Sequence, residues 1–237
     1  MSGSFLADVV AGLYRTPKSL PSKHFYDAEG SRLFEAITAT AEYYPTRTET
    51  ALLRRIAPEV AARIPAGGAL VEFGSGASVK TRLLLDAAPQ LRRYVPIDIS
   101  PDALADAAAQ ISALYPSLSV EPIVADFTRP LALSADILAA GRMGFFPGST
   151  IGNFPPAEAT AFLSRARAAL GGGASFLVGI DLVKAPNVLE AAYDDAEGIT
   201  AAFNKNLLAR INRELDGDID LNAFDHRALW NPAESRM

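Results

Sequence analysis

From about residue 68 the chain alternates short apolar runs with longer stretches whose apolar residues recur every three or four positions. "ALVEF" (69–73) is a continuous apolar run closed by a glycine and reads as a buried strand. "KTRLLLDAA" follows as a helix. "RRYVPIDIS" (92–100) reads as a second strand, and "PDALADAAAQISALY" as an amphipathic helix with Pro101 in its first turn. "VEPIVADF" (120–127) reads as a third strand, and "RMGFFPGST" (142–150) holds a fourth. "PAEATAFLSRARAAL" is a helix closed by the glycines 171–173, and "ASFLVGIDL" (174–182) is a fifth strand. Repeated strand–helix units of this length predict a parallel sheet with right-handed crossovers. Nearly continuous apolar strands place helices on both of its faces.

The two ends of the chain read differently. Near the start, Asp27 and Gly30 suggest a turn, and "SRLFEAIT" a short helix with Leu33, Phe34 and Ile37 on one face. Pro45 and Thr46 begin the next helix, "TRTETALLRRIAPEVAARI". Beyond Lys184, "AAYDDAEGITAAFNKNLLARINREL" reads as helical. Ile199, Phe203, Leu207, Ile211 and Leu215 recur there at four-residue spacing. "RALW", near the end, reads as the start of a strand. The expected organisation is an α/β domain at 48–183 and a second, mostly helical domain assembled from 1–47 and 184–237.

Composition narrows the function. With 237 residues and 49% hydrophobic content, the chain can bury a sizeable core. A net charge of −5 argues against a nucleic-acid backbone as partner. The absence of cysteine excludes disulfides, thiolate zinc sites and cysteine nucleophiles. The start lacks the basic and apolar regions of a signal peptide. No apolar run approaches the roughly 18 residues a membrane helix needs. A cytoplasmic protein with no membrane partner and no metal is therefore expected. His24 and His226 lie far apart and read as ordinary polar residues.

"VEFGSGASVKT" (71–81) admits three readings. Lys80-Thr81 after a glycine turn suggests a phosphate loop, but Val79 stands where the second glycine belongs. A β-branched residue resists the curl that aims backbone N–H groups at phosphates. A dinucleotide loop fails at the same position. A loop for S-adenosylmethionine has no pyrophosphate to cradle and tolerates Val79. It expects an acidic residue at the end of the second strand for the ribose, and Asp98 stands there, 24 positions after Gly74. Asp126 and Phe127 end the third strand, where they can meet the adenine by hydrogen bond and stacking. Each aspartate alone is equally a helix cap. Three suitable strand ends on one sheet edge favour the methyltransferase reading.

The chain also resembles the histidine-specific methyltransferases, the family of the histidine Nα-methyltransferase of ergothioneine biosynthesis. The resemblance is carried by "FYDAEGSRLFEAIT", "EYYPTRTE", "VEFGSGASVKTRLLLDA", "VPIDIS", "FPGSTIGNF", "GIDLVK", "AYDDAEGITAAFNKNLLARINREL" and "FDHRALWN", in order along nearly the whole chain. "GSTIGN" and the "AYDD" segment are its most specific stretches. It implies a Rossmann-like class I fold and Nα-methylation of a free amino acid, with histidine the first choice and its trimethyl betaine the product. It implies a cofactor site at Gly74, Lys80, Asp98, Asp126 and Phe127, with Lys80 on the cofactor's carboxylate. For the amino acid it implies Tyr26, Tyr43, Gly148, Asn153 and Tyr193. Asn153 and Tyr193 hold the carboxylate and amine, Tyr26 and Tyr43 line the pocket, and Tyr26 and Asn153 act at the reacting centre.

The resemblance further implies that family members continue well past the point matching Met237. The last two strands and the residues that read the imidazole would lie there. Strand five is then expected to be an open edge, and the chain as written to bind cofactor weakly and to be poorly soluble. Three alternatives remain: the same chemistry on another amino acid such as tryptophan, a non-catalytic remnant, and an ATP-hydrolysing protein with Asp181 on the magnesium side. Oligomeric state is not legible.

Overall fold

The computed structural model describes residues 2–76 and 79–237. The chain divides into two compact units, residues 48–181 and residues 1–47 with 182–237.

The 48–181 unit is built on a parallel sheet. Its strands are β1 (Ala69–Phe73), β2 (Arg93–Asp98), β3 (Ser119–Val120), β4 (Ile123–Val124), β5 (Arg142–Phe146) and β6 (Ser175–Val178). The order across the sheet is β3-β2-β1-β5-β6, with β4 also paired to β2. β1 is central and all five of its residues are buried. Successive side chains alternate between two apolar layers. Leu70 packs with Tyr94 and Phe145 under α3 (Tyr44–Ala61) and α4 (Val79–Ala87). Val71 and Phe73 pack with Ile97, Phe146 and Phe162 on the other face, which α6 (Ala135–Ala139) and α7 (Pro156–Leu170) cover. α5 (Pro101–Leu114) links β2 to β3 and buries Leu104 and Ile111. β6 has one neighbour and forms one edge among the described strands, with β3 and β4 at the other.

The expected third strand is broken. Glu121 N–H still donates to the Tyr94 carbonyl at 2.8 Å, and Ala125 N–H to the Asp98 carbonyl at 2.9 Å. Pro96 of β2 stands between Tyr94 and Asp98, faces this strand and has no N–H to give it, so the ladder splits into β3 and β4. The fifth strand ends at Val178, four residues before the expected boundary.

The other unit is helical. α1 (Ser2–Leu13) has no counterpart in the sequence expectations. α2 (Ala28–Ala39) begins where a turn is expected, because Asp27 caps it: its carboxylate accepts Gly30 N–H at 2.7 Å. The segment after Lys184 is two helices, α8 (Pro186–Tyr193) and α9 (Ile199–Leu215). Gly198, at φ +74°, turns the chain between them. Asp195 then accepts the N–H groups of Ile199 and Thr200 at 2.9 and 2.7 Å. The four-residue stripe holds: Phe203, Leu207 and Ile211 are buried. Leu207 and Ile211 pack with Phe5 and Val9 of α1, and Phe203 with Leu33 and Ile37 of α2. "RALW" is not a strand. It pairs with no strand among the described residues, and Trp230 N–H donates to Glu190 at 3.3 Å.

Candidate functional site

The carboxyl ends of β1, β2 and β5 bring several of the expected residues to one sheet edge, where open α/β sheets bind ligands. Gly74 and Gly76 follow β1 with φ of +76° and +44°, a region that disfavours other residues. A Cβ on Gly74 would make an ordinary contact with the Phe127 ring at 3.4 Å, so the positive φ, rather than crowding, calls for glycine there. Asp98 ends β2 and faces the same turn. Its carboxylate accepts Ser100 N–H at 3.0 Å and reaches Gly76 N–H at 3.5 Å. Ala77 and Ser78, within the quoted loop, lie outside the described residues.

Asp126 accepts both the N–H and the hydroxyl of Thr128, at 2.9 and 2.5 Å, and so shapes the turn that presents Phe127. Phe127 is half-buried, with edge-to-face contacts to Phe73, Phe146 and Phe162. Lys80, on the first turn of α4, pairs with Glu49 of α3. Glu49 also accepts the N–H of Gly148, an expected substrate residue, at 2.8 Å. Neither of Glu49's partners is near it in sequence, so sequence patterning gave no sign of its role.

Beneath the loop lies a buried polar triad. Glu72 of β1 is 1% exposed. It accepts hydrogen bonds from the Thr81 hydroxyl at 2.7 Å and the Tyr94 hydroxyl at 2.5 Å. Burial pushes its carboxyl up to about 7, against the pull of those hydroxyls and of Lys80. This bears on the phosphate-loop reading. Thr81 would have to offer its hydroxyl to magnesium, but it is fully buried and committed to Glu72.

Asn153 and Gly148 belong to the same unit. Gly148 follows β5 at φ +83°, and Ser149 follows it at φ 54°, an uncommon conformation for a residue with a side chain. The Ser149 hydroxyl accepts Asp181 N–H at 3.0 Å, tying this turn to the segment after β6. Asn153 closes the short 3-10 helix Thr150–Asn153 and is exposed.

In the helical unit the three expected tyrosines share one aromatic cluster. Tyr26 meets Phe34 and Phe203 edge-on, at centroid distances of 5.5 and 5.6 Å. Phe34 meets Tyr43 at 6.2 Å, and Tyr43 meets Tyr193 at 5.9 Å and 83°. Arg47 fixes the loop before α3 by donating to the carbonyls of Thr40, Ala41 and Tyr43. His226, expected to be an ordinary polar residue, donates Nε2–H to the Tyr193 carbonyl at 2.7 Å and is held on its other nitrogen by Asn204. Asp27, beside Tyr26, also binds Asn206 at 2.7 Å and Arg213 at 2.5 Å. Burial raises its pKa, but Gly30 N–H, Asn206 and Arg213 outweigh this and hold it below the usual range.

A parallel sheet of this order, with a glycine turn after β1 and acidic residues closing the next strands, defines a class I S-adenosylmethionine-dependent methyltransferase fold. Among solved structures, a DUF574 family protein from Streptomyces avermitilis superimposes with a TM-score of 0.51 at 16% identity, covering 78% of this chain and 70% of that one. The family profile described as "Histidine-specific methyltransferase, SAM-dependent" matches residues 5–237. The chain belongs to this family. The "Histidine N-alpha-methyltransferase" of Mycolicibacterium smegmatis is 50% identical over 235 residues, covering 97% of this chain. The protein of the same description from Mycobacterium tuberculosis is 47% identical over 234 residues. The chain spans 72% of the length of each.

The residues present fit the cofactor of this family. The glycine turn leaves room at the end of β1, Asp98 is an acceptor beside it, and Phe127 offers an aromatic edge. The Ser75 hydroxyl, buried within the turn, has no partner among the described residues.

Proposed function

We propose that the protein methylates the α-amine of a free amino acid, L-histidine, to its Nα,Nα,Nα-trimethyl betaine, hercynine, an intermediate of ergothioneine biosynthesis. The single observation that carries this reading is the 50% identity, over 97% of the chain, to a protein described as a histidine Nα-methyltransferase. The sheet edge supports it: Gly74, Asp98, Asp126 and Phe127 follow neighbouring strands, Lys80 stands on the first turn of α4, and together they serve as the cofactor site. The helical unit serves as the substrate-binding domain, with Tyr26, Tyr43 and Tyr193 in one cluster.

S-adenosylmethionine supplies a methyl group already activated on a sulfonium. The chain's own residues bind and orient. Asn153 and Tyr193 hold the carboxylate and amine of the amino acid, and Gly148 lets the backbone approach it. Tyr26 and Asn153 accept hydrogen bonds from the amine and aim its lone pair. Tyr43 forms the wall, its own position fixed by Phe34 and Arg47. Neutral groups suit this task, because the amine must be deprotonated to react and a nearby cation already disfavours its protonated form. Free α-amines titrate at about 8 to 10, so a modest downward shift suffices. Orientation then supplies most of the rate.

Incubation of the full-length protein with labelled S-adenosylmethionine and a panel of free amino acids, read by mass spectrometry, tests the proposal. Mono-, di- and trimethylated histidine are expected. Methylation of tryptophan in preference to histidine, or of neither, would refute it.

A further inference from the structure

The Lys80–Glu49 pair lies at the carboxyl edge of the sheet and both side chains are mostly buried, 18% and 16% exposed. Both Glu49 oxygens accept Gly148 N–H, at 2.8 and 2.9 Å. Gly179, just past β6, gives the carboxylate its room: a Cβ there would stand 1.9 Å from Glu49 Oε1. An ammonium and a backbone N–H together make a receptor for any carboxylate or phosphate. Glu49 sets a carboxylate of the chain's own within that receptor.

We propose that Glu49 is a cofactor-binding residue that takes the α-ammonium of the methionine moiety of S-adenosylmethionine while Lys80 takes its α-carboxylate. The inference rests on the cofactor reading above and adds a recognition element to it. A ligand carrying both charges on one carbon exchanges the internal ion pair for two external ones, and no charge is left unmatched. A ligand offering a carboxylate alone draws Lys80 away and leaves Glu49 partly buried without a counter-ion, which is costly. A phosphate is worse, since it adds like charge beside Glu49. The pair thus selects for a zwitterion, partly by rejecting simple anions. It also gives a second reason why Lys80-Thr81 does not mark a nucleotide site.

Other carboxylates of this edge are committed elsewhere. Glu72 lies under the loop with Thr81 and Tyr94. Asp98 holds Ser100 N–H, and Asp126 holds Thr128. Glu49 is the carboxylate paired with Lys80.

The test is calorimetric titration of the full-length wild type and its Glu49→Gln variant with S-adenosylhomocysteine and with its des-amino analogue, in which hydrogen replaces the α-ammonium. The wild type is expected to prefer S-adenosylhomocysteine by about tenfold or more, and Glu49→Gln to lose most of that preference through weaker binding of the amine-bearing ligand alone. Equal weakening of both ligands would mean that Glu49 only shapes the fold, and tighter binding of both would mean that it competes for the receptor; either overturns the proposal. Glu49→Asp, which keeps the charge but shortens its reach, serves if the glutamine variant does not fold, and the same loss of preference is expected. A full-length wild type that binds neither ligand would refute the cofactor reading itself, an outcome distinct from a wild type that binds and a variant that keeps its preference.

Discussion

Glu72 makes a signed prediction about stability. Its carboxyl titrates at about 7 in the folded chain against 4.5 for an ordinary glutamate. The folded state therefore binds the proton more tightly than the unfolded state. For a group raised in this way, its stabilisation is complete below the unfolded value and is lost as pH rises through the folded one. The difference corresponds to on the order of 3 kcal/mol between about pH 4.5 and pH 8. Glu72→Gln mimics the protonated acid in size and neutrality. The amide oxygen can still accept from Thr81 or Tyr94. The variant should match the wild type near pH 4.5 and exceed it by about 3 kcal/mol near pH 8. Chemical denaturation at several pH values measures this, followed by far-UV circular dichroism. Tryptophan fluorescence would miss it, because the single tryptophan, Trp230, belongs to the other unit. Parallel stability curves for the two proteins would refute the reasoning, as would a variant weaker than the wild type at every pH.

Gly144→Ala should destabilise the sheet unit by about 1–3 kcal/mol, because the new methyl would stand 2.2 Å from the Phe176 ring; unchanged denaturation would show that the ring can move aside. Gly179→Ala should evict the Glu49 carboxylate and weaken S-adenosylhomocysteine binding, measured by titration, in parallel with Glu49→Gln. Asp195 is raised by burial but lowered overall by its bonds from Thr200 and Ile199. Its contribution is present above the ordinary aspartate value of 3.8 and fades as pH falls through the lower folded value, so Asp195→Asn should flatten the acid limb of an unfolding curve read from Trp230. Tyr193→Phe, which keeps the ring packed on Tyr43, should raise the KM for histidine in the mass-spectrometric assay; an unchanged KM would remove Tyr193 from the substrate site.

The sheet was legible because its central strands β1, β2 and β5 are buried on both faces and leave apolar runs closed by glycine or aspartate. The same logic overran the strand opposite Pro96, where a missing N–H splits a ladder that hydrophobicity alone draws as continuous. It overran "YDDAEGI" too, where a glycine at positive φ and a capping aspartate separate helices of similar composition. α1 escaped because its apolar face is short, and its partners on α9 lie about two hundred positions away. Gly74, Asp98 and Phe127 were visible because topology places the ends of successive strands side by side. Glu49 was not, since its partners Lys80 and Gly148 are 31 and 99 positions distant. Arg47 and His226 act on backbone carbonyls, contacts that leave no pattern in the chain.

The helical unit takes its core from the two ends of the chain. Phe5, Val9, Leu33 and Ile37 find their partners on α9, which follows the whole sheet unit in sequence. During synthesis, the first 47 residues leave the ribosome with these apolar faces uncovered and wait for Phe203, Leu207 and Ile211. Every described strand of the intervening unit has been made by Val178, and these strands can pair first. Production of the protein should thus depend on how long that waiting segment is shielded. Slowed translation between residues 180 and 215 should lower the soluble yield without altering a single contact in the finished molecule.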